Sequence, residues 1–303
     1  MHLKAKAERI NRNVRSITDS IRFLTLPPTL SIEQMRFWHE NGYLHLKGHA
    51  ETEKIDAINR YIDDLWIRRQ PSDPMITVDI FLGNPDGKRT HMHRAPIEAK
   101  AKPHKLNDLF LNSDEVRNLI LNPNLTQTIS YLLSGKATVI NTLNFEYGSQ
   151  QPYHTDTLYM PAPSDVGKTP RQCNMLATWI ALEDCTLDAG PLKYYPGSHV
   201  IPAYRFSTGR TSEVVEEMEA YKRYMDREVE ARGLKPHYLE AEAGDLFIWH
   251  ELLFHGGAEI QNLSKTRKSL VTHYWSAHDL NETELIKVGS GYYLNRKPQP
   301  IKD

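Results

Sequence analysis

Hydrophobic and polar positions change period partway along the chain. In the front part the spacing is mostly helical. Ser31-Ile-Glu-Gln34 reads as a capping box that opens a helix, and Gly42 stops it. Tyr43-Leu-His-Leu-Lys47 then alternates as a strand does. From Thr52 onward Ile55, Ile58, Ile62 and Leu65 recur three and four apart, which predicts a second helix. Ile76 to Leu82 reads as a buried strand, and Asn112-x-x-Glu115 with the apolar positions after it predicts two short helices ending near Gly135. From Ala137 a β pattern takes over. Strands are predicted over Ala137–Glu146, Tyr153–Met160, Asn174–Leu182, Pro191–Tyr195, Tyr238–Ala241, Leu246–Trp249 and Lys268–Trp275. One segment interrupts them: Val214, Met218, Tyr221, Met225 and Val229 lie on one helical face up to Gly233, predicting an amphipathic helix packed at the mouth of the β structure.

Seven or eight short strands separated by Gly, Pro and Asp turns predict an antiparallel sandwich or barrel, mainly β with flanking helices. The expected organisation is an N-terminal arm over 1–24 and one domain over 25–303. That domain divides into a helical front (25–136) and a β core (about 137–277) carrying the helical insertion at 211–233.

Charge and composition narrow the function classes. The 303 residues carry 37 Lys and Arg against 38 Asp and Glu, so no electrostatic excess argues for nucleic acid. Mean hydropathy is −0.56 and no apolar run approaches the ~20 residues that span a bilayer, so no membrane partner is expected. Cys173 and Cys185 are too few for a disulfide framework and read as small residues within a sheet. The basic arm (Lys4, Lys6, Arg9, Arg12, Arg15, Arg22) lacks an apolar core segment, and a cytoplasmic protein is expected.

The candidate chemistry begins at His154-Thr-Asp156. On a strand, residues i and i+2 share a face, so an imidazole and a carboxylate can converge on one ion. His255, in the later run His255-Gly-Gly, completes two histidines and a carboxylate, a facial set that suits non-haem Fe(II) because it leaves positions open. Arg267 follows 12 positions after His255, on a strand that returns a guanidinium towards the same cavity. A buried fork of that kind binds both oxygens of a carboxylate.

These residues, in this order, resemble the phytanoyl-CoA dioxygenase family of Fe(II)/2-oxoglutarate-dependent oxygenases. The resemblance runs through Ser31–Gly48, Gln151-Pro-Tyr-His154-Thr-Asp156, Thr178–Asp184 with Asp188-Ala-Gly-Pro-Leu192, Tyr195-Pro-Gly-Ser-His199, and Gly244-Asp245 through His255-Gly256 to Arg267. It implies a double-stranded β-helix, a cupin-like jelly roll. It also implies iron at His154, Asp156 and His255, 2-oxoglutarate with its distal carboxylate on Arg267, and dioxygen as the other co-substrate. Ser269 could add a hydroxyl to that carboxylate, and Asn144 matches a position that touches co-substrate or substrate in relatives. Gly257 stands where the family often has Ser.

The implied reaction is oxidative decarboxylation of 2-oxoglutarate to succinate and carbon dioxide, coupled to hydroxylation of a small molecule. Halogenation is disfavoured because Asp156 is present where a halogenase has Ala or Gly. The alternatives are a catalytically silent jelly-roll binding protein and a cupin-type metal enzyme that does not use 2-oxoglutarate. Among the other histidines, His250 is expected to be structural, His91 and His93 to face a loop, and His199 to brace a turn. Trp179, Trp249 and Trp275 are expected in the barrel core, with Trp249 or Tyr159 as possible pocket walls. Lys102, His104 and Lys105 form a basic triplet suited to an anionic substrate. Substrate identity and oligomeric state are not legible.

Overall fold

The computed structural model describes residues 29–70, 76–84, 86–160, 174–277 and 280–301. The N-terminal arm and Cys173 lie outside the described residues. In chain order the elements are α1 (Ile32–Asn41), β1 (Tyr43–Leu46), α2 (Thr52–Arg68), β2 (Thr77–Ile80), β3 (Lys88–His91) and β4 (Lys105–Asn107). Then come α3 (Asp114–Ile120), α4 (Pro123–Leu132), β5 (Ala137–Phe145), β6 (Met175–Ala181), β7 (Leu192–Tyr194) and α5 (Met218–Ala231). The chain closes with β8 (His237–Tyr238), β9 (Leu246–His250), β10 (His255–Gly257), β11 (Ser269–Ser276), β12 (Leu285–Val288) and β13 (Gly291–Leu294).

The strands form two sheets, as in a jelly roll. The major sheet runs β1-β9-β6-β11-β5-β4-β2-β3, with the β12–β13 hairpin attached through β13 to β5; the minor sheet runs β10-β7-β8. Every residue of β6 and β9 is buried, because both faces of the major sheet are covered. Period two sorts their side chains. Leu176, Ile180, Leu246, Ile248, Leu270 and Tyr274 pack outward into a core shared with α2, α3 and α4. Ala177, Trp179, Phe247, Trp249 and Val271 point inward, where Leu192 and Tyr194 of the minor sheet meet them. Fully burying one large aliphatic or aromatic side chain contributes about 1.5–3 kcal/mol, so these two cores dominate the stability.

Local signals act as expected at several ends. The Ser31 capping box forms in full, and Gly42 closes α1 in the left-handed conformation (φ 76°). The α2 stripe Ile55, Ile58, Ile62 and Leu65 is buried. The inserted helix, preceded by a 3-10 turn over Val215–Glu217, packs Tyr221 and Met225 against Leu158, Ile201, Phe206 and Phe254.

Four expectations are corrected. Tyr153–Met160 is not a strand: His154 makes a single bridge to His255, and Asp156–Leu158 coil into a 3-10 turn. Pro152 has no N–H to offer a ladder, and the Asp156 amide turns away to the Glu251 carbonyl at 3.0 Å. The cap of α3 is Ser113, whose hydroxyl accepts from Val116 N, and α4 is capped by Asn122. The front is also less helical than its periodicity suggests, since β4 pairs with β5 and carries β2 and β3 onto the major sheet. Finally, the β12–β13 hairpin lies beyond the anticipated end of the β core. Among the described residues no helix is long and apolar enough to cross a membrane.

Candidate metal centre

The bridge between His154 and His255 brings the two imidazoles side by side, with the backbone amide of each bonded to the other's carbonyl at 2.8 and 3.0 Å. Two glycines allow this approach. A Cβ on Gly256 would lie 2.6 Å from the Gln151 carbonyl oxygen and 2.9 Å from the Tyr153 backbone, and one on Gly257 would lie 2.4 Å from Ser149 Oγ. The Gly257 that replaces the family's usual Ser thus has a steric reason.

Asp156 completes the group from the 3-10 turn. One ligand atom from each of His154, Asp156 and His255 lies within 4.8 Å of the others, and all three residues are buried. His154 Nδ1 is tied to the Pro152 carbonyl at 2.8 Å and His255 Nδ1 to the Leu253 carbonyl at 2.9 Å. Those bonds place the ring protons on Nδ1 and leave both Nε2 lone pairs for an ion, the arrangement that metal-binding histidines use. Asp156 Oδ2 accepts the Trp249 indole N–H at 2.8 Å, while Oδ1 lies 3.4 Å from His255 Nε2. Two imidazole nitrogens and one carboxylate oxygen form a donor set that suits Fe(II).

Electrostatics follow from the crowding. Burial, reinforced by His255, pushes His154 down to about 4, so this ring is neutral near pH 7. Burial works against the Asp156 charge, yet His255 and His273 hold its carboxyl well below the usual carboxylate range. Burial likewise lowers His255, but the Asp156 carboxylate outweighs it and the net displacement is upward.

The triad opens into a cavity of about 660 Å³ that Arg267 also lines. Arg267 is buried, its Nε has no hydrogen-bond partner, and its guanidinium lies 5.8 Å from both the Phe145 and Trp179 ring centres. No carboxylate among the described residues is within ion-pair distance of it. Ser269 shares the inner face of β11 with the cavity-lining Val271 and His273, and its buried hydroxyl has no partner. Asn144 stands elsewhere. On β5 the alternation sends Leu143 and Phe145 to the cavity, so Asn144 turns to the opposite face, opposite Leu106 and Leu270. Its Nδ2 donates to the Ser269 carbonyl at 3.0 Å. Contact with a small molecule in the cavity is therefore corrected to a bond that ties β5 to β11.

Other residues resolve as follows. His250 is buried beside Trp38 and His199, with Nδ1 accepting from Leu252 N at 3.1 Å. His199 packs on Gly42 and bonds the His39 carbonyl at 3.2 Å, so it braces the end of α1. His91 and His93 stack on each other, 5.5 Å between ring centres, outside the cavity lining. His104 is fully buried against Trp66, which removes it from the basic triplet, whereas Lys105 does line the cavity. Trp249 and Tyr159 line the cavity too. Cys185 is a buried free thiol. Sequence reasoning missed His273, whose Nε2 lies 3.5 Å from Asp156 Oδ1. Its signal was present: Arg267, Ser269, Val271, His273 and Trp275 alternate along one strand face.

Solved structures share the fold. The non-heme alpha ketoglutarate dependent carbocyclase SnoK from nogalamycin biosynthesis superposes with a TM-score of 0.60 at 18% identity, covering 83% of this chain and 88% of that one. EctD from S. alaskensis, crystallised with 2-oxoglutarate and 5-hydroxyectoine, gives 0.61 at 13% identity, covering 91% and 88%. In sequence, a probable phytanoyl-CoA dioxygenase of Caenorhabditis elegans is 25% identical over 257 residues, covering 81% of this chain and 75% of that protein. Phytanoyl-CoA dioxygenase 1 of Oryza sativa subsp. japonica is 25% identical over 315 residues, covering 91% and 99%. The phytanoyl-CoA dioxygenase (PhyH) family pattern matches residues 38–269, a span that contains α2, β5, β6, β9, the minor sheet, the buried triad and Arg267, and the chain belongs to that family.

Proposed function

We propose that this protein is an Fe(II)- and 2-oxoglutarate-dependent oxygenase that hydroxylates an unactivated C–H bond of a small molecule, with release of succinate and carbon dioxide. The observation that carries this reading is a single cavity with two features. At one point two imidazole nitrogens and a carboxylate converge; at another a buried guanidinium has no carboxylate partner among the described residues. Family membership supports the reaction class, as do SnoK, a non-heme alpha ketoglutarate dependent carbocyclase, and EctD, crystallised with 2-oxoglutarate.

His154, Asp156 and His255 would hold iron, and Arg267, with Ser269 beside it on the strand face, would hold the distal carboxylate of 2-oxoglutarate. Bound iron and 2-oxoglutarate would supply, with dioxygen, the oxidising chemistry that side chains lack. The chain's own part is positioning. The Nδ1 tethers to Pro152 and Leu253 fix both rings. The Trp249 indole donates to Asp156 Oδ2 and so orients the carboxylate that would help hold the iron. Trp179, Trp249, Phe145 and Val271 line the cavity with apolar surface.

The test is an anaerobic titration of the purified protein with Fe(II) and 2-oxoglutarate, following their charge-transfer absorbance, then succinate release on admitting oxygen. The expected result is a saturable band and succinate formation. A band without succinate under any candidate substrate selects the silent binding protein. Iron binding with no response to 2-oxoglutarate selects the cupin-type enzyme.

A further inference from the structure

The turn that carries His154 and Asp156 has left the sheet, so its backbone must find partners elsewhere. The amides of His154, Thr155 and Asp156 go to three different elements. His154 N–H donates to the His255 carbonyl on β10 at 2.8 Å, and Asp156 N–H to the Glu251 carbonyl, just after β9, at 3.0 Å. Between them, Thr155 N–H donates to the Tyr221 hydroxyl on α5 at 3.0 Å. Of the three acceptors only this one belongs to a side chain. The rest of the turn leans on the same inserted segment. Thr211 Oγ1 donates to the Thr157 carbonyl at 3.2 Å, Glu213 N–H to the Leu158 carbonyl at 3.2 Å, and the Tyr153 hydroxyl to Asp226.

Tyr221 is itself held in place. Its ring is buried, stacked on Phe206 at 5.8 Å between centres and edge-on to Tyr204 at 5.7 Å, and Met225 packs one helical turn further along. No residue of α5 lines the cavity. The helix therefore stands behind the turn and not over the chamber: His154 and Asp156 face the cavity, whereas Thr155, absent from its lining, meets α5. The Thr155 N–H lies in the peptide plane that joins Thr155 to His154, so fixing that N–H limits rotation between the two ligand residues. Without the hydroxyl the amide would be buried and unsatisfied, and turning it towards another acceptor would rotate the plane.

We propose that Tyr221 is a positioning residue for the metal centre: its hydroxyl takes the Thr155 amide and so sets the angle at which His154 and Asp156 present their ligand atoms to one ion. This role rests on His154, Asp156 and His255 being the iron ligands. Helix α5 is a brace on the ligand-bearing turn, and its contribution is to keep the donors arranged before the ion arrives.

The test compares wild type with Tyr221→Phe and Met225→Leu. The first removes the hydroxyl and keeps the ring; the second disturbs the packing of α5 and keeps the hydroxyl. Fe(II) affinity is read by equilibrium dialysis under argon, ligand geometry from the absorption band of Fe(II) with 2-oxoglutarate, and folding from urea midpoints of the metal-free proteins. Tyr221→Phe should bind Fe(II) at least fivefold more weakly and shift the maximum of the band. Met225→Leu, at whatever urea midpoint it shows, should keep the iron constant within twofold and the band in place. An iron constant within twofold of wild type for Tyr221→Phe, or an unshifted band, overturns the proposal. So does an equal loss of iron affinity in Met225→Leu, which would assign the effect to helix packing. Hydrogen exchange of the Thr155 amide in metal-free wild type needs no variant to fold: protection as strong as at the His154 amide is expected, and exchange at the rate of an exposed amide overturns the proposal. Failure of the iron reading is seen separately, as no Fe(II) binding by wild type or binding by His255→Ala as tight as by wild type, and the role of Tyr221 falls with it.

Discussion

At the residue scale, the decisive contrast is between groups that have partners and groups that do not. Arg267 is a buried cation with no acidic neighbour in ion-pair range among the described residues, a state that costs free energy unless a ligand supplies the missing charge. Truncating one member of such a buried pair costs about 2–5 kcal/mol, so Arg267→Ala should weaken 2-oxoglutarate binding by roughly 30-fold to several thousand-fold, with iron affinity retained. Arg267→Lys should recover part of the loss, because the charge returns without the two-pronged geometry. The charge-transfer titration at saturating iron reads both; a change below about threefold for the Ala variant would remove Arg267 from this role. Gly256 makes a different kind of demand. Its missing side chain leaves room for the Gln151 carbonyl, so Gly256→Ala should force the His154 and His255 segments apart. We expect that variant to fold with weakened iron binding, measured by equilibrium dialysis.

At the element scale, the front of the chain is tied to the β core by β1, which pairs along its whole length with β9. The tie is reinforced at one buried carboxylate. Asp245 accepts from the Gly48 amide at 2.9 Å, Lys47 Nζ at 2.8 Å, His45 Nε2 at 3.1 Å and the Glu242 amide at 3.1 Å. Burial works against its charge, but these donors, Lys47 foremost, hold the carboxyl below its ordinary range. The adjacent Gly244 (φ 90°) has no room for a Cβ, which would lie 2.4 Å from the Ala50 oxygen. Gly244-Asp245, a recognisable stretch of the sequence, is thus a clasp rather than part of the cavity. Asp245→Ala removes a buried charged acceptor from four donors that solvent can still reach, and should cost roughly 1–2 kcal/mol, seen as a lower urea midpoint. The 2-oxoglutarate titration of the folded protein should be unaffected.

At the scale of the whole molecule, several histidines are buried as neutral rings. Burial is the main cause that lowers His49, His104, His199 and His250, the last to about 3. The unfolded chain takes up these protons near pH 6.5, whereas the folded protein resists them. Stability contributed by each neutral ring is therefore full above about pH 6.5 and is lost as pH falls. For His250 alone the loss should reach about 2 kcal/mol by pH 5, since the folded value lies well below that. Urea midpoints at pH 7 and pH 5 check this on metal-free protein. His250→Asn, whose side-chain oxygen can accept from Leu252 N, should be less stable at pH 7 but show a shallower acid loss. An unchanged pH slope in that variant would rule out His250 as a source of the acid sensitivity.

Much of the fold is legible in the sequence because the informative signals are local. The capping box at Ser31, the stripe of α2, the face of the inserted helix and the buried strands β6, β9 and most of β11 all follow from spacing and side-chain shape. The triad residues were legible too, because their types and order narrow the chemistry sharply. The pairing of segments far apart in sequence was not. Lys88–His91 and Lys105–Asn107 are short and polar; the edge of β5 recruits Lys105–Asn107, and β2, paired on it, recruits Lys88–His91. His154 and Asp156 converge through one bridge and a 3-10 turn, because Pro152 ends the ladder and Gly256 admits the chain. Asn144 and His273 exchanged expected importance for the same reason: a strand's period says which residues share a face, but only the packed sheet says which face meets the cavity. Local composition determined the elements and the donor types, whereas long-range burial and register decided which donors share one space.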